Sequence, residues 1–165
     1  MIYILLLVGV VLLLSAYAGI SGAPWVPAFH RDLHKVLDDT QLQPGQLCIE
    51  LGSGDGRLLQ AAAKRGAHVI GYEINPLLFL ICWLRLMPYR KHSKIYLKSL
   101  WGADLSKADV VLTFLVPRTM PKLYKKAVKE MKPGALLVSY IFAVPDAKPL
   151  ISRHHWFVYR IKKSR

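Results

Sequence analysis

Near the end of the first third of the chain lies the run Glu50-Leu51-Gly52-Ser53-Gly54-Asp55-Gly56. Three alternate glycines let a loop turn with positive φ and let a ligand lie against bare backbone. Glu73 follows 21 residues after Gly52, at the end of a second apolar run. A carboxylate there can accept both hydroxyls of a ribose. Glycines and acid together point to a nucleoside-containing cofactor, held outside the carboxyl ends of parallel strands. A Gly-rich turn that merely joins strand to helix would leave Glu50 and Glu73 without a purpose.

The flanking charges narrow the cofactor. A dinucleotide fingerprint needs its third glycine at position 57, and Arg57 stands there. A pyrophosphate is best met by helix-terminal N–H groups with no anion close by. S-adenosylmethionine carries no phosphate, but an ammonium and a cationic sulfonium. Glu50 could form a charge-assisted contact with that ammonium. The sign of the loop favours S-adenosylmethionine over NAD.

Several elements must position these residues. Residues 31–39 read as a short helix, 47–51 as an apolar strand, 57–65 as an Ala-rich helix and 68–72 as a second strand. Pro76 opens a helix to about Leu86, where Pro88 stops it. Strands follow at 94–98 and 109–115, then a basic helix at 121–131 and strands at 135–142 and 156–161. This alternation implies an α/β fold: a doubly wound, mostly parallel sheet with helices on both faces.

The chain has 165 residues, 53% hydrophobic and 20% charged, which suits one folded domain and excludes a disordered chain. Cys48 and Cys82 are the only cysteines, too few for a disulfide framework and without metal-ligand spacing. No metal site is expected. Apolar and basic residues are segregated. Ile2 to Ile20 carries no charge, and Arg31 is the first charged side chain. As a helix the run would be roughly 28 Å long, close to the hydrocarbon thickness of a bilayer. A cleaved signal peptide would have a positive start, and a buried core helix a polar face; neither is present. The expected layout is a transmembrane anchor over residues 1–22, a connector and helix over 23–46, and a cofactor-binding domain over 47–165. Arg31, His34 and Lys35 follow the run, so the positive-inside rule places the domain on the cytoplasmic side of a single-pass membrane protein.

The net charge of +13 favours anionic partners. Lys122, Lys125, Lys126, Lys129 and Lys132 form one basic cluster; Arg85, Arg90, Lys91, Lys94 and Lys98 form another. A solvated surface is the plain reading of any one lysine. Near a bilayer each would contribute about 1 kcal/mol toward anionic headgroups. Nucleic acid is the less favoured partner, with only Tyr89, Tyr96 and Tyr124 as stacking candidates.

The motif E-L-G-S-G-D-G and the later Gly71-Tyr72-Glu73-Ile74-Asn75-Pro76 resemble those of class I (Rossmann-like) S-adenosylmethionine-dependent methyltransferases. An N-terminal apolar span, Trp25-Val26-Pro27 and these two motifs are similar to the membrane-anchored protein-lysine methyltransferase family. Its mitochondrial members act on the c-ring protein of ATP synthase and the ADP/ATP carrier. The resemblance implies cofactor contacts from Glu50, Gly52, Ser53, Gly54, Asp55, Gly56, Glu73, Ile74, Ser99, Leu100 and Phe114. It implies acceptor contacts from Trp25, Pro27, Val116 and Pro117, and a membrane-protein substrate. Two positions depart from the family pattern. Ala28 replaces the usual Thr or Ser after Val-Pro, and Ser99 stands where an acidic residue often contacts adenine.

Methyl transfer from a sulfonium is an in-line displacement that needs alignment more than a nucleophilic side chain. A lysine acceptor must lose a proton from a pKa near 10.4, and an apolar slot favours its neutral form. Tyr140 and His155 are conceivable proton acceptors; neither is singled out. Phe114-Leu115-Val116-Pro117 lacks the Asn or Asp that grips an exocyclic base amine, which disfavours nucleobase methylation. A lipid amine, a small molecule, RNA, or a non-catalytic cofactor-sensing domain are the alternatives.

Overall fold

The computed structural model describes residues 1–5, 9–10 and 26–162. In chain order its elements are α1 (His30–Thr40), β1 (Leu47–Leu51), α2 (Arg57–Lys64), β2 (His68–Glu73), α3 (Pro76–Leu86), β3 (Ser93–Leu97), β4 (Val110–Thr113), α4 (Met120–Glu130), β5 (Leu136–Tyr140), β6 (Ile151–Ser152) and β7 (Trp156–Arg160). Single 3₁₀ turns lie at Met87–Tyr89, Leu100–Gly102 and Pro117–Thr119.

One seven-stranded sheet has the order β3-β2-β1-β4-β5-β7-β6. β1 to β5 are mutually parallel, whereas β7 runs antiparallel to β5 and to β6. Strand order reverses between β1 and β4, which opens a crevice above their carboxyl ends where ligands of such sheets bind. β4 is buried throughout, and β1 from Cys48 onward, because helices cover both faces. One core cluster contains Leu37, Leu59, Cys82 and Val158; the other contains Leu51, Leu105, Met120 and Tyr159.

The sequence spacing placed the elements within a few residues. The fourth strand is shorter than the expected 109–115 and ends at Thr113, where its pairing with Leu51 ends. Leu115 instead turns inward beneath the glycine loop, and Pro117 enters a 3₁₀ turn. β6 has two residues and no pattern of its own, so nothing in the sequence announced it. The helix assigned to the connector is part of the core: Leu33, Val36 and Leu37 of α1 are buried in one cluster with Leu58 and Trp156.

Residues 2–5 and 9–10 are helical. Most of the run from Ile2 to Ile20, and Trp25, lie outside the described residues. Among the described residues no helix is long and apolar enough to cross a membrane.

Candidate active site

β1 delivers Glu50 and Leu51 to the crevice, and the glycines then turn the chain into α2. Gly52 and Gly56 have φ of 79° and 77°, a region where a side chain would be strained. A Cβ on Gly56 would also strike the Cys82 sulfur on α3. The N–H groups of Gly52 and Ser53 both donate to the Tyr72 carbonyl, at 2.9 and 3.0 Å, which ties the loop to β2.

Glu50 is buried, and its Oε2 has no hydrogen-bond partner. Burial first, then the nearby Asp55 and Glu73 charges, hold its carboxyl well above the usual range, against a backbone hydrogen bond at Leu59. A buried carboxylate oxygen without a donor is costly unless a ligand supplies one. The buried Ser53 hydroxyl instead faces the Cys82 thiol of α3. The free Glu50 oxygen fits the ammonium end of an amino-acid cofactor.

Glu73 ends β2 and is buried. Its Oε2 accepts from the Gly54 N–H at 2.7 Å, and its Oε1 from the N–H groups of Ile74 and Asn75, each at 2.8 Å. A carboxylate has about four acceptor sites, so three are engaged by backbone before any ribose arrives. The remaining residues of this motif build α3. Asn75 accepts from Leu77 and Leu78 N–H at 2.9 and 3.2 Å, and Pro76 fills the first turn.

Asp55 serves the scaffold. Its carboxylate takes Arg57 Nη2 at 2.7 Å and Arg85 Nη2 at 3.1 Å, while its carbonyl accepts from Arg85 Nε at 2.7 Å. Burial raises its pKa, but the bonds and charges of the two guanidiniums outweigh burial and leave it low. Arg57 also donates to the Ala28 carbonyl at 3.0 Å, so the loop grips the segment before α1. Ala28 itself is buried. The sequence grouped Arg85 with a basic surface; the structure makes it an ion-pair partner. Its signal was present: it is the one charge in α3.

Ser99 is exposed and caps its own turn, accepting from the Trp101 N–H at 3.4 Å; Leu100 beside it is half-buried. The exposed Asp104 nearby accepts from the Ser106 N–H at 2.9 Å. Phe114 and Val116 are half-buried, Pro117 is exposed, and Pro27 is half-buried ahead of Ala28.

A cluster that sequence could not assemble sits beside Phe114. The Phe114 and Tyr140 rings meet edge-on at 5.1 Å. The Tyr140 hydroxyl donates to Asp32 Oδ2 at 2.6 Å and accepts from the Phe29 N–H at 3.2 Å. His155 Nδ1 lies 2.8 Å from the same Asp32 oxygen. Burial raises the Asp32 pKa, and the Tyr140 and His155 bonds more than reverse it, so Asp32 is ionised. His155 Nδ1 therefore donates to this carboxylate, which fixes the ring's orientation. Burial and the Asp32 bond raise the Tyr140 phenol, which excludes it as a base at neutral pH. An open cleft beyond this cluster, lined by Arg31, Asp32, Lys35, Arg153 and His155, contains no residue of the glycine loop.

The lysine cluster on α4 is also less free than its sequence implied. Lys122 Nζ sits 4.2 Å from the centre of the Trp101 ring, Lys126 pairs with Glu130 at 2.7 Å, and Lys132 with Asp109.

Strand order, glycine loop and paired acids are those of class I (Rossmann-like) S-adenosylmethionine-dependent methyltransferases. Within that class, the chain belongs to the ANTKMT methyltransferase domain family, whose model matches residues 50–151. The lysine N-methyltransferase of the ATP synthase C protein from Xenopus laevis is 35% identical over 130 residues, covering 76% of this chain and 56% of that protein. Adenine nucleotide translocase lysine N-methyltransferase of Mus musculus is 34% identical over 132 residues, covering 77% and 56%. The chain thus spans little more than half the length of these relatives. An RNA methyltransferase from Salinibacter ruber, solved with S-adenosyl-L-homocysteine, superposes with a TM-score of 0.79 at 25% identity, covering 85% of this chain and 96% of that one.

Proposed function

We propose that this protein is an S-adenosylmethionine-dependent methyltransferase whose acceptor is a lysine amine of a membrane or membrane-proximal protein. The observation that carries the cofactor half is the unpartnered, buried Oε2 of Glu50 beside the glycine loop. The lysine half rests on the family and on the substrates that its relatives' names give.

Bound at the loop, S-adenosylmethionine supplies a methyl group already activated by cationic sulfur. Glu50 holds the ammonium end. Glu73 offers its free acceptor site to the ribose, and its bond to Gly54 keeps the loop open in the correct shape. Ile74, Ser99 and Leu100 border the adenine. Phe114, Val116, Pro117 and Pro27 form the slot for the amine, where an apolar wall favours the neutral nucleophile. His155, held by Asp32, is a candidate to take up the acceptor's proton.

The charge-free run from Ile2 to Ile20 acts as a membrane anchor in this reading, with the domain on the cytoplasmic side. A tether raises the effective concentration of acceptors at the same bilayer. Carbonate washing of membranes tests it: release of the full-length chain would sink the anchor.

RNA is the second reading, supported by the likeness to the Salinibacter enzyme. Comparison of membrane proteins and of RNA from cells with and without the gene separates the two. Lysine peptides that gain one to three methyl groups only when the gene is present support the first. Unchanged lysines beside a lost methyl mark in RNA would replace it with the second.

A further inference from the structure

α3 is apolar on the wrong side for a helix in a water-facing layer. Cys82 and Leu86 pack into the core, yet Leu77, Leu80, Ile81, Trp83, Leu84 and Met87 are exposed, each by 37% or more. Their spacing of three and four residues makes one continuous helical face. On the edge strand β3, Leu97 lies on the same side of the sheet as Ile95, which packs toward α2 and α3, and is itself half exposed. A contiguous patch of this kind on a soluble surface marks an interaction site.

The charges around it identify the occupant. From Ile74 to Ala103 the sequence contains no Asp or Glu. Arg90 and Lys91 follow the helix and its 3₁₀ turn, and both are exposed. Apolar centre, cationic rim, an indole at the margin and no anion are the features of a surface that lies in the interface of an anionic bilayer.

We propose that α3, with Leu97 and the cations Arg90 and Lys91 that follow the helix, docks flat on an anionic phospholipid bilayer. α3 begins three residues after Glu73, so docking sets the cofactor loop beside the headgroups. This second contact would orient a domain that residues 2–20 alone would only tether. It holds whichever amine is methylated.

Trp83 reports the contact directly. The full-length chain is reconstituted in vesicles of phosphatidylglycerol and phosphatidylcholine, with or without brominated acyl chains. The signal of Trp83 is the difference between wild type and Trp83→Phe. Docking predicts blue-shifted Trp83 emission that falls at least about two-fold in brominated vesicles. It also predicts weaker quenching in pure phosphatidylcholine, and in the variant with Arg90 and Lys91 both changed to Gln. Leu80→Gln with Leu84→Gln, at exposed positions, should abolish quenching without loss of the cooperative unfolding transition. Trp83 emission that bromine leaves unchanged overturns the proposal, even if carbonate leaves the chain in the membrane. A Trp83 already shielded in detergent without lipid also overturns it. Dependence on protein concentration would then assign the face to a second copy, and independence to another segment of this chain.

Discussion

The backbone N–H of Gly54 donates to the Glu73 carboxylate across 2.7 Å, joining the glycine loop after β1 to the end of β2. One side chain thereby shapes the loop and presents itself to the cofactor. The two tasks have separable consequences.

Glu73→Gln should weaken both. Three backbone amides lose a charged acceptor, and loss of such bonds costs about 1–3 kcal/mol. We expect lower denaturant stability of the cofactor-free protein together with at least about tenfold weaker S-adenosylmethionine binding by calorimetry, since a factor of ten in affinity corresponds to about 1.4 kcal/mol. Unchanged stability of the cofactor-free protein would confine Glu73 to ligand contact.

Glu50 makes binding depend on pH. Burial, with Asp55 and Glu73 nearby, raises its carboxyl in the empty site and favours the protonated form. An ammonium beside it favours the ionised form, so binding expels a proton. Affinity should therefore rise as pH climbs toward the raised value, and calorimetry in buffers of different ionisation enthalpy should detect the released proton. Glu50→Gln should bind more weakly and lose that release. The empty fold carries the opposite sign: a raised carboxyl gives stability below its unfolded pKa and loses it as pH rises.

Asp55 acts on stability. Asp55→Asn leaves Arg57 and Arg85 without their carboxylate, at a cost of about 1–3 kcal/mol at neutral pH. Although burial raises the Asp55 pKa, the two guanidiniums set it below the usual value. Its contribution is thus present above the unfolded pKa, near 3.9, and lost as pH falls through the folded one. Urea unfolding of wild type and variant should differ at pH 7 and converge in acid.

Gly56→Ala tests the turn. The substitution puts a side chain at φ 77° and into the Cys82 sulfur. Strain of this kind costs about 1–3 kcal/mol, so the melting temperature should fall. Gly134→Ala, also at positive φ but with open space around it, should fall less.

Tyr140→Phe tests the cluster beside Phe114. It removes the bond to Asp32 and the anchor for the Phe29 N–H, costing about 1 kcal/mol of stability. Cofactor affinity should stay unchanged while KM for the acceptor rises, because the loosened segment carries Pro27. His155→Gln should instead lower kcat while leaving cofactor affinity unchanged.

The sequence alone determined the loop, its acidic partner and the parallel strands, because these depend on local order. Glycines at alternate positions, a cap of Asn75-Pro76 and buried apolar runs act within a turn or two of themselves. Tertiary structure decided what long separations hide. Asp32 meets Tyr140 and His155 from 108 and 123 residues away, and no pattern within α1 announces that one acid is buried there. The pairing of Asp55 with Arg85 joins residues 30 apart, which no local pattern discloses. The bilayer-like face of α3 was hidden for a different reason. A helix apolar on every side does not disclose which side lacks a neighbour; only the packing of β2, β3 and α2 against it leaves Leu80, Trp83 and Leu84 uncovered.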